Sequence, residues 1–173
     1  MDTRCPEFLP VWRGCLVRNP DCVPLGPTGM SSINRFRQET PSLATAAQPT
    51  EAHFDWLKAE GYEAVINIST PTAKNFVHDE PRMVMEKGMT YVHAPVDCSA
   101  LTPEHYRLVS GVLKSMAGKK VLLHCAGNVK ASAFAHIFRV KELGHDPHSL
   151  RSELRQREWH EPKWYTYFDS LGA

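Results

Sequence analysis

The sequence predicts an α/β domain in which a central, mostly parallel sheet is flanked by helices on both faces. Two observations predict it. Three short apolar runs, AVINIST (64–70), which is rich in β-branched residues, TYVHAPV (90–96) and KVLLHC (120–125), read as strands. Between and after them lie stretches whose apolar residues recur at helical spacing, and strands joined through helices run parallel in a sheet covered on both sides.

The elements follow in order. PTEAHFDWLKAEG (49–61) has a Pro-Thr start, an acidic first turn and a closing glycine, and turns Phe54, Leu57 and Trp56 inward as a helix. The strand 64–70 comes next, then a short helix in EPRMVMEKG (80–88) and the strand 90–96. TPEHYRLVSGVLKSMAG (102–118) starts at a capping Thr102 with Pro103 in the first helical position. It sets Tyr106, Leu108, Val109, Val112, Leu113 and Met116 along one face. After the strand 120–125, ASAFAHIFRVKELG (131–144) repeats Phe134, Ile137, Phe138 and Leu143 at helical spacing, and HSLRSELRQREW and PKWYTYFDSL supply two last helices.

Length and composition bound the rest. With 173 residues, 42% hydrophobic and 23% charged, the chain can build one compact core. Residues 1–29 are rich in Pro and Gly without periodicity and read as a tail or an upstream extension, leaving 30–173 as the domain. A formal charge of +1 provides no strong field for nucleic acid or an anionic membrane, so neither is an expected partner and any anion site must be local. No apolar run approaches the roughly 20 residues that span a bilayer. Five cysteines form an odd set without a disulfide framework, which suits a reducing cytoplasm, and the spacing of Cys5, Cys15 and Cys22 matches no common zinc pattern.

Chemistry is expected in VLLHCAGNVKAS (121–132), read as a strand, a loop and a helix start. A thiolate where backbone N–H groups converge on a positive helix terminus has its pKa lowered and sits beside an oxyanion site. Ala126 and Gly127 permit close backbone approach, Asn128 tolerates a left-handed conformation, and Lys130 brings a cation. Ser132 could hydrogen-bond the sulfur of Cys125, and His124 could orient the loop. The competing reading of Cys125 is a small buried hydrophobe. A general acid is required to protonate a leaving alcohol, and Asp97, at the end of the preceding strand, is the candidate, against a plain turn-capping role. Asn67, Thr70, Gln48 and Pro49 are guessed to line the pocket from their strand-end positions.

Other residues suggest packing. Cys98 reads as a half-buried structural thiol rather than a redox partner of Cys125. His53, His78, His93, His105, His136, His145, His148 and His160 are scattered and form no evident metal set. Trp159, Trp164, Tyr165 and Tyr167 would close the core or form a homodimer contact.

Four segments in order, LATAAQPT, EAVINIST, YVHAPVD and VLLHCAGNVKASAF, within the block from Arg35 to Phe168, resemble a bacterial phosphatase-like family. That family is related to the beta-lactamase-hydrolase-like proteins and is a branch of the dual-specificity and tyrosine phosphatase superfamily. The resemblance implies a cysteine-phosphatase-like fold and hydrolysis of a phosphate monoester, from a small molecule or a phosphoprotein, through a cysteinyl-phosphate intermediate. Cys125 would be nucleophile, Lys130 the phosphate-binding cation and Asp97 the general acid, with His124, Ala126, Gly127, Asn128, Val129 and Ala131 completing the phosphate-binding loop. No metal or organic cofactor is implied.

Two departures bear on activity. The superfamily's usual loop has five residues between cysteine and arginine, whereas four separate Cys125 from Lys130, and Ala131 follows. The shorter spacing resembles this bacterial branch, but its members carry arginine there. Arginine's planar fork grips two phosphate oxygens where lysine offers a point charge, so weak activity is expected. A rhodanese-like sulfurtransferase carrying a persulfide on Cys125, or a silent phospho-ligand-binding module, are the alternatives.

Overall fold

The computed structural model describes residues 32–157 and 161–173. The expected tail at 1–29 and the readings of Trp159 and His160 lie outside the described residues. In chain order the elements are β1 (Arg37–Thr40), β2 (Leu43–Ala46), α1 (Glu51–Ala59), β3 (Ala64–Asn67), α2 (Glu80–Glu86), β4 (Thr90–His93), α3 (Pro103–Ser115), β5 (Val121–His124), α4 (Val129–Lys141), α5 (Pro147–Arg155) and α6 (Pro162–Leu171).

The five strands form one sheet in the order β1-β2-β5-β3-β4. β2, β5, β3 and β4 run parallel, and β1 pairs antiparallel with β2. The β1–β2 hairpin was not anticipated: LATA is small and apolar rather than β-branched, so it carries little strand signal. β5 lies between β2 and β3, pairing Val121 with both Leu43 and Ala64. As expected for a central parallel strand, every residue of β5 is buried.

Helices cover both faces. On one, Leu43, Ile66, Val121 and Leu123 meet Val109 and Leu113 of α3, Phe134 and Ile137 of α4, and Trp164 and Phe168 of α6. On the other, Ala44, Val65 and Leu122 meet Phe54, Trp56 and Leu57 of α1 and Val84 of α2. The inward turn of Phe54, Trp56 and Leu57 is as read from the sequence. The aromatic cluster of α6 closes the first core, with Phe134 edge-on to Trp164 and Tyr167 at centroid distances of 6.1 Å.

Several expectations need correction. Leu108 and Leu143 are exposed at 45% and 48%. Leu108 lies off the inner stripe of α3 formed by Tyr106, Val109 and Leu113, and Leu143 follows the end of α4. β3 and β4 are shorter than read, ending at Asn67 and His93, so Asp97 stands four residues beyond its strand. α4 starts at Val129, two residues earlier than its apolar pattern, which places Lys130 in the first turn. Among the histidines, His53 and His105 accept the main-chain N–H of Thr50 and Thr102 at the starts of α1 and α3. His136 is buried against Phe168 at 4.5 Å.

A buried carboxylate ties the first face together. Glu39 of β1 accepts from Arg157 (2.8 and 3.1 Å), Arg139 of α4 (3.0 Å) and the Thr45 hydroxyl (2.9 Å). A charge taken from water requires such a complete set of partners. Among the described residues no helix is long and apolar enough to cross a membrane.

Candidate active site

The carboxyl end of β5 leads into a short loop. Four residues, Cys125 to Asn128, connect β5 to α4. That short connection demands an abrupt turn, which Asn128 makes at φ 63°, ψ 6°. Asparagine enters this left-handed region at lower cost than other side-chain-bearing residues. Its own side chain then holds the turn, donating to the Arg35 carbonyl (2.6 Å) and the Thr45 hydroxyl (3.2 Å).

The loop carbonyls are drawn outward. The Ala126 carbonyl accepts from the Asn75 side chain (2.9 Å) and the Gln48 N–H (3.4 Å), and the Gly127 carbonyl accepts from the Arg35 guanidinium (2.9 Å). In a trans peptide C=O and N–H point in opposite directions, so the Gly127 N–H faces away from the Asn75 and Gln48 braces, while an antiparallel bridge pairs Gly127 with Ala47. The first N–H groups of α4 have no intrahelical partner. Together with the positive end of the helix dipole, these donors suit a tetrahedral oxyanion.

Cys125 is buried at 2% exposure where that loop begins, its N–H donating to Ala46 (3.3 Å). Ser132, also buried, has its hydroxyl within donating distance of the Asn128 carbonyl (2.5 Å) and the Val129 carbonyl (3.3 Å). Lys130 reaches across the edge of the sheet, its ammonium donating to the Val96 carbonyl at 2.7 Å. That contact brings the chain after β4 to the loop.

Asp97 therefore reaches this edge by a route other than the one read from the sequence. β4 is not the neighbour of β5, because β3 lies between them. The segment beyond β4 instead runs on beside the end of β3, with the Val96 N–H on the Ile68 carbonyl at 3.2 Å, and Lys130 reaches over to it. Asp97, Lys130, Thr70, Cys98 and Lys163 line one shallow hollow of about 280 Å³. Hydrogen bonds from the Ser99 N–H (2.9 Å) and hydroxyl (2.8 Å), with the Lys130 charge, hold the Asp97 carboxyl below the usual carboxylate range. The turn-capping role weighed for Asp97 is thus present alongside its place in the hollow, whose lining does not include Cys125. Burial pushes the Cys98 thiol up to about 11, so it stays protonated near neutrality.

His124 points to the opposite face, because side chains alternate along a strand. There its Nε2 lies 2.7 Å from Glu80 Oε1, both side chains fully buried. The other oxygen of Glu80 accepts from Asn67 (2.8 Å) and Gln48 (3.2 Å). Asn67 thus belongs behind the loop rather than to the hollow, while Thr70 does line it. Gln48 braces the loop through its main chain, and Pro49 is buried next to it. Sequence reasoning missed Glu80, Asn75 and Arg35. Glu80 opens a short helix with nothing in the sequence to mark it as buried, and the other two are exposed loop residues without a pattern.

The carboxyl end of the central strand β5 thus holds a buried thiol that opens a short loop into a helix N-terminus. No family model matches the chain, and no curated protein sequence does. Solved structures do. Two crystal structures of a DUF442 phosphatase-like protein from Shewanella putrefaciens CN-32 are 29% and 30% identical, with TM-scores of 0.70 and 0.69. They cover 80% and 78% of this chain, and 91% and 86% of their own. TpbA of P. aeruginosa is 17% identical with a TM-score of 0.61, over 74% of this chain and 76% of its own, and shares the fold. The chain belongs to the DUF442 phosphatase-like family, and its fold is that of the tyrosine and dual-specificity phosphatases.

Proposed function

We propose that this protein is a cysteine-dependent phosphatase hydrolysing phosphate monoesters through a cysteinyl-phosphate on Cys125. The observation that carries the reading is the loop itself: outward-held carbonyls, a left-handed Asn128 and a buried thiol at the start of one anion cradle. A TpbA variant was crystallised in complex with pTyr, which supports a phosphorylated substrate here as well.

In the first step the Cys125 thiolate forms a bond to phosphorus while the ester P–O bond breaks. The bonding pair leaves on the alcohol oxygen, which takes a proton from Asp97. In the second step water attacks phosphorus and gives its proton to the Asp97 carboxylate, and the P–S bond breaks to return the thiolate. The cradle N–H groups stabilise charge on the equatorial oxygens in both steps. Ser132 is the candidate to ease departure of the sulfur.

Lys130 limits the rate in this reading. Its ammonium is engaged with the Val96 carbonyl and provides no bidentate grip. The same observation favours a second reading, a module that binds a phosphorylated ligand without turnover.

Hydrolysis of a small aryl phosphate by wild type, Cys125→Ser and Lys130→Arg decides, with thiosulfate sulfur transfer run in parallel. Phosphate release that vanishes in the serine variant and rises about tenfold or more with arginine is the expected result. Sulfur transfer without phosphate release would make the protein a sulfurtransferase. Silence in both, with phosphate raising the melting temperature, would make it a binding module.

A further inference from the structure

The loop is braced from outside by one residue that meets it at two points. Arg35 lies 92 residues before Gly127 in the chain, yet its guanidinium donates to the Gly127 carbonyl at 2.9 Å. Its own carbonyl accepts from the Asn128 side chain at 2.6 Å. Arg35 achieves this in a left-handed conformation, φ 54°, shared among the described side-chain-bearing residues with Asn128 alone. The segment that carries it is fixed. Ile33 and Phe36 are buried on either side, Phe36 bonds back to Ile33 (3.1 Å), and the Asn34 carbonyl accepts from Ala47 (3.0 Å).

We infer that Arg35 is a positioning residue for the anion loop, holding the Gly127–Asn128 turn in the shape from which α4 presents its first N–H groups. The inference rests on the phosphatase reading above. A cation bonded to the Gly127 carbonyl fixes the Gly127–Asn128 peptide on one side, and the antiparallel bridge of Gly127 with Ala47 fixes it on the other. The second Arg35 contact locks the Asn128 turn through which α4 begins. The two contacts act on adjacent residues, so each supports the other.

Arg35→Asn separates these roles from fold stability. Asparagine enters the left-handed region more readily and keeps the main-chain carbonyl, while the guanidinium is lost. Tungstate, a tetrahedral oxyanion, is the probe: its dissociation constant is measured by calorimetry for the full-length wild type, Arg35→Asn and Arg35→Lys, with melting temperatures in the absence of ligand. Arg35→Asn should bind tungstate about tenfold more weakly at an unchanged melting temperature, and Arg35→Lys should recover part of the loss. Unchanged tungstate affinity in Arg35→Asn, or a loss matched by a fallen melting temperature, would overturn the inference and leave the phosphatase reading standing. A wild type that binds no tungstate would bring down both.

Discussion

At the scale of single residues, the site is set by what its charges are already doing. Asp97 must carry a proton to act as an acid, but Ser99 binds its ionised form through N–H and hydroxyl. Rate falls as pH rises through the pKa of a general acid, so a lowered pKa starts that fall at lower pH. Ser99→Ala removes one stabilising bond, raises the Asp97 pKa and should move the alkaline limb of the kcat profile to higher pH. A limb that stays in place would mean that another group supplies the proton. Glu39 offers a test of stability instead. Removing its charge as Glu39→Gln leaves Arg139 and Arg157 without their buried counter-charge, and the expected loss is roughly 3–5 kcal/mol in urea unfolding. Pairs at exposed positions, such as Arg107 with Glu104, should contribute little, because solvent screens them.

At the scale of elements, the legible parts were those with strong local patterning. β3, β4 and β5 announced themselves as short apolar runs, β3 with β-branched residues, and α1 and α3 through capping residues and a periodic apolar face. The Cys125 loop was readable because small residues set between a strand end and a helix start mark a place where the backbone itself must be approached closely. The β1–β2 hairpin was not readable: Leu43 to Ala46 becomes a strand only because β5 offers it a partner. The partners of the loop and of Lys130 were hidden for the same reason, since Arg35, Asn75 and Val96 are brought there by the fold rather than by sequence proximity. α4 is the element on which the larger core and the site both depend. Phe134 is fully buried on it, between Trp164 and Tyr167. Phe134→Ala should cost about 3–5 kcal/mol through lost burial and a cavity, read as a shifted urea midpoint. A loss below about 1 kcal/mol would mean that α6 collapses into the space.

At the scale of the whole molecule, the sheet separates two tasks. Its α3, α4 and α6 face carries the helix that ends the loop, and its α1 and α2 face holds the His124–Glu80 pair beneath it. The braces on the loop come from chain positions 92, 51 and 34 residues away: Arg35 on Gly127, Asn75 on Ala126, and Val96 on Lys130. Contacts between such distant positions form late in refolding, because each must offset the entropy of closing a long chain segment. A refolding chain should therefore regain the tryptophan fluorescence of its cores before it regains affinity for an oxyanion. Stopped-flow refolding with a tungstate-binding readout should show the second signal lagging the first, and a coincident return would place loop assembly within the main folding step.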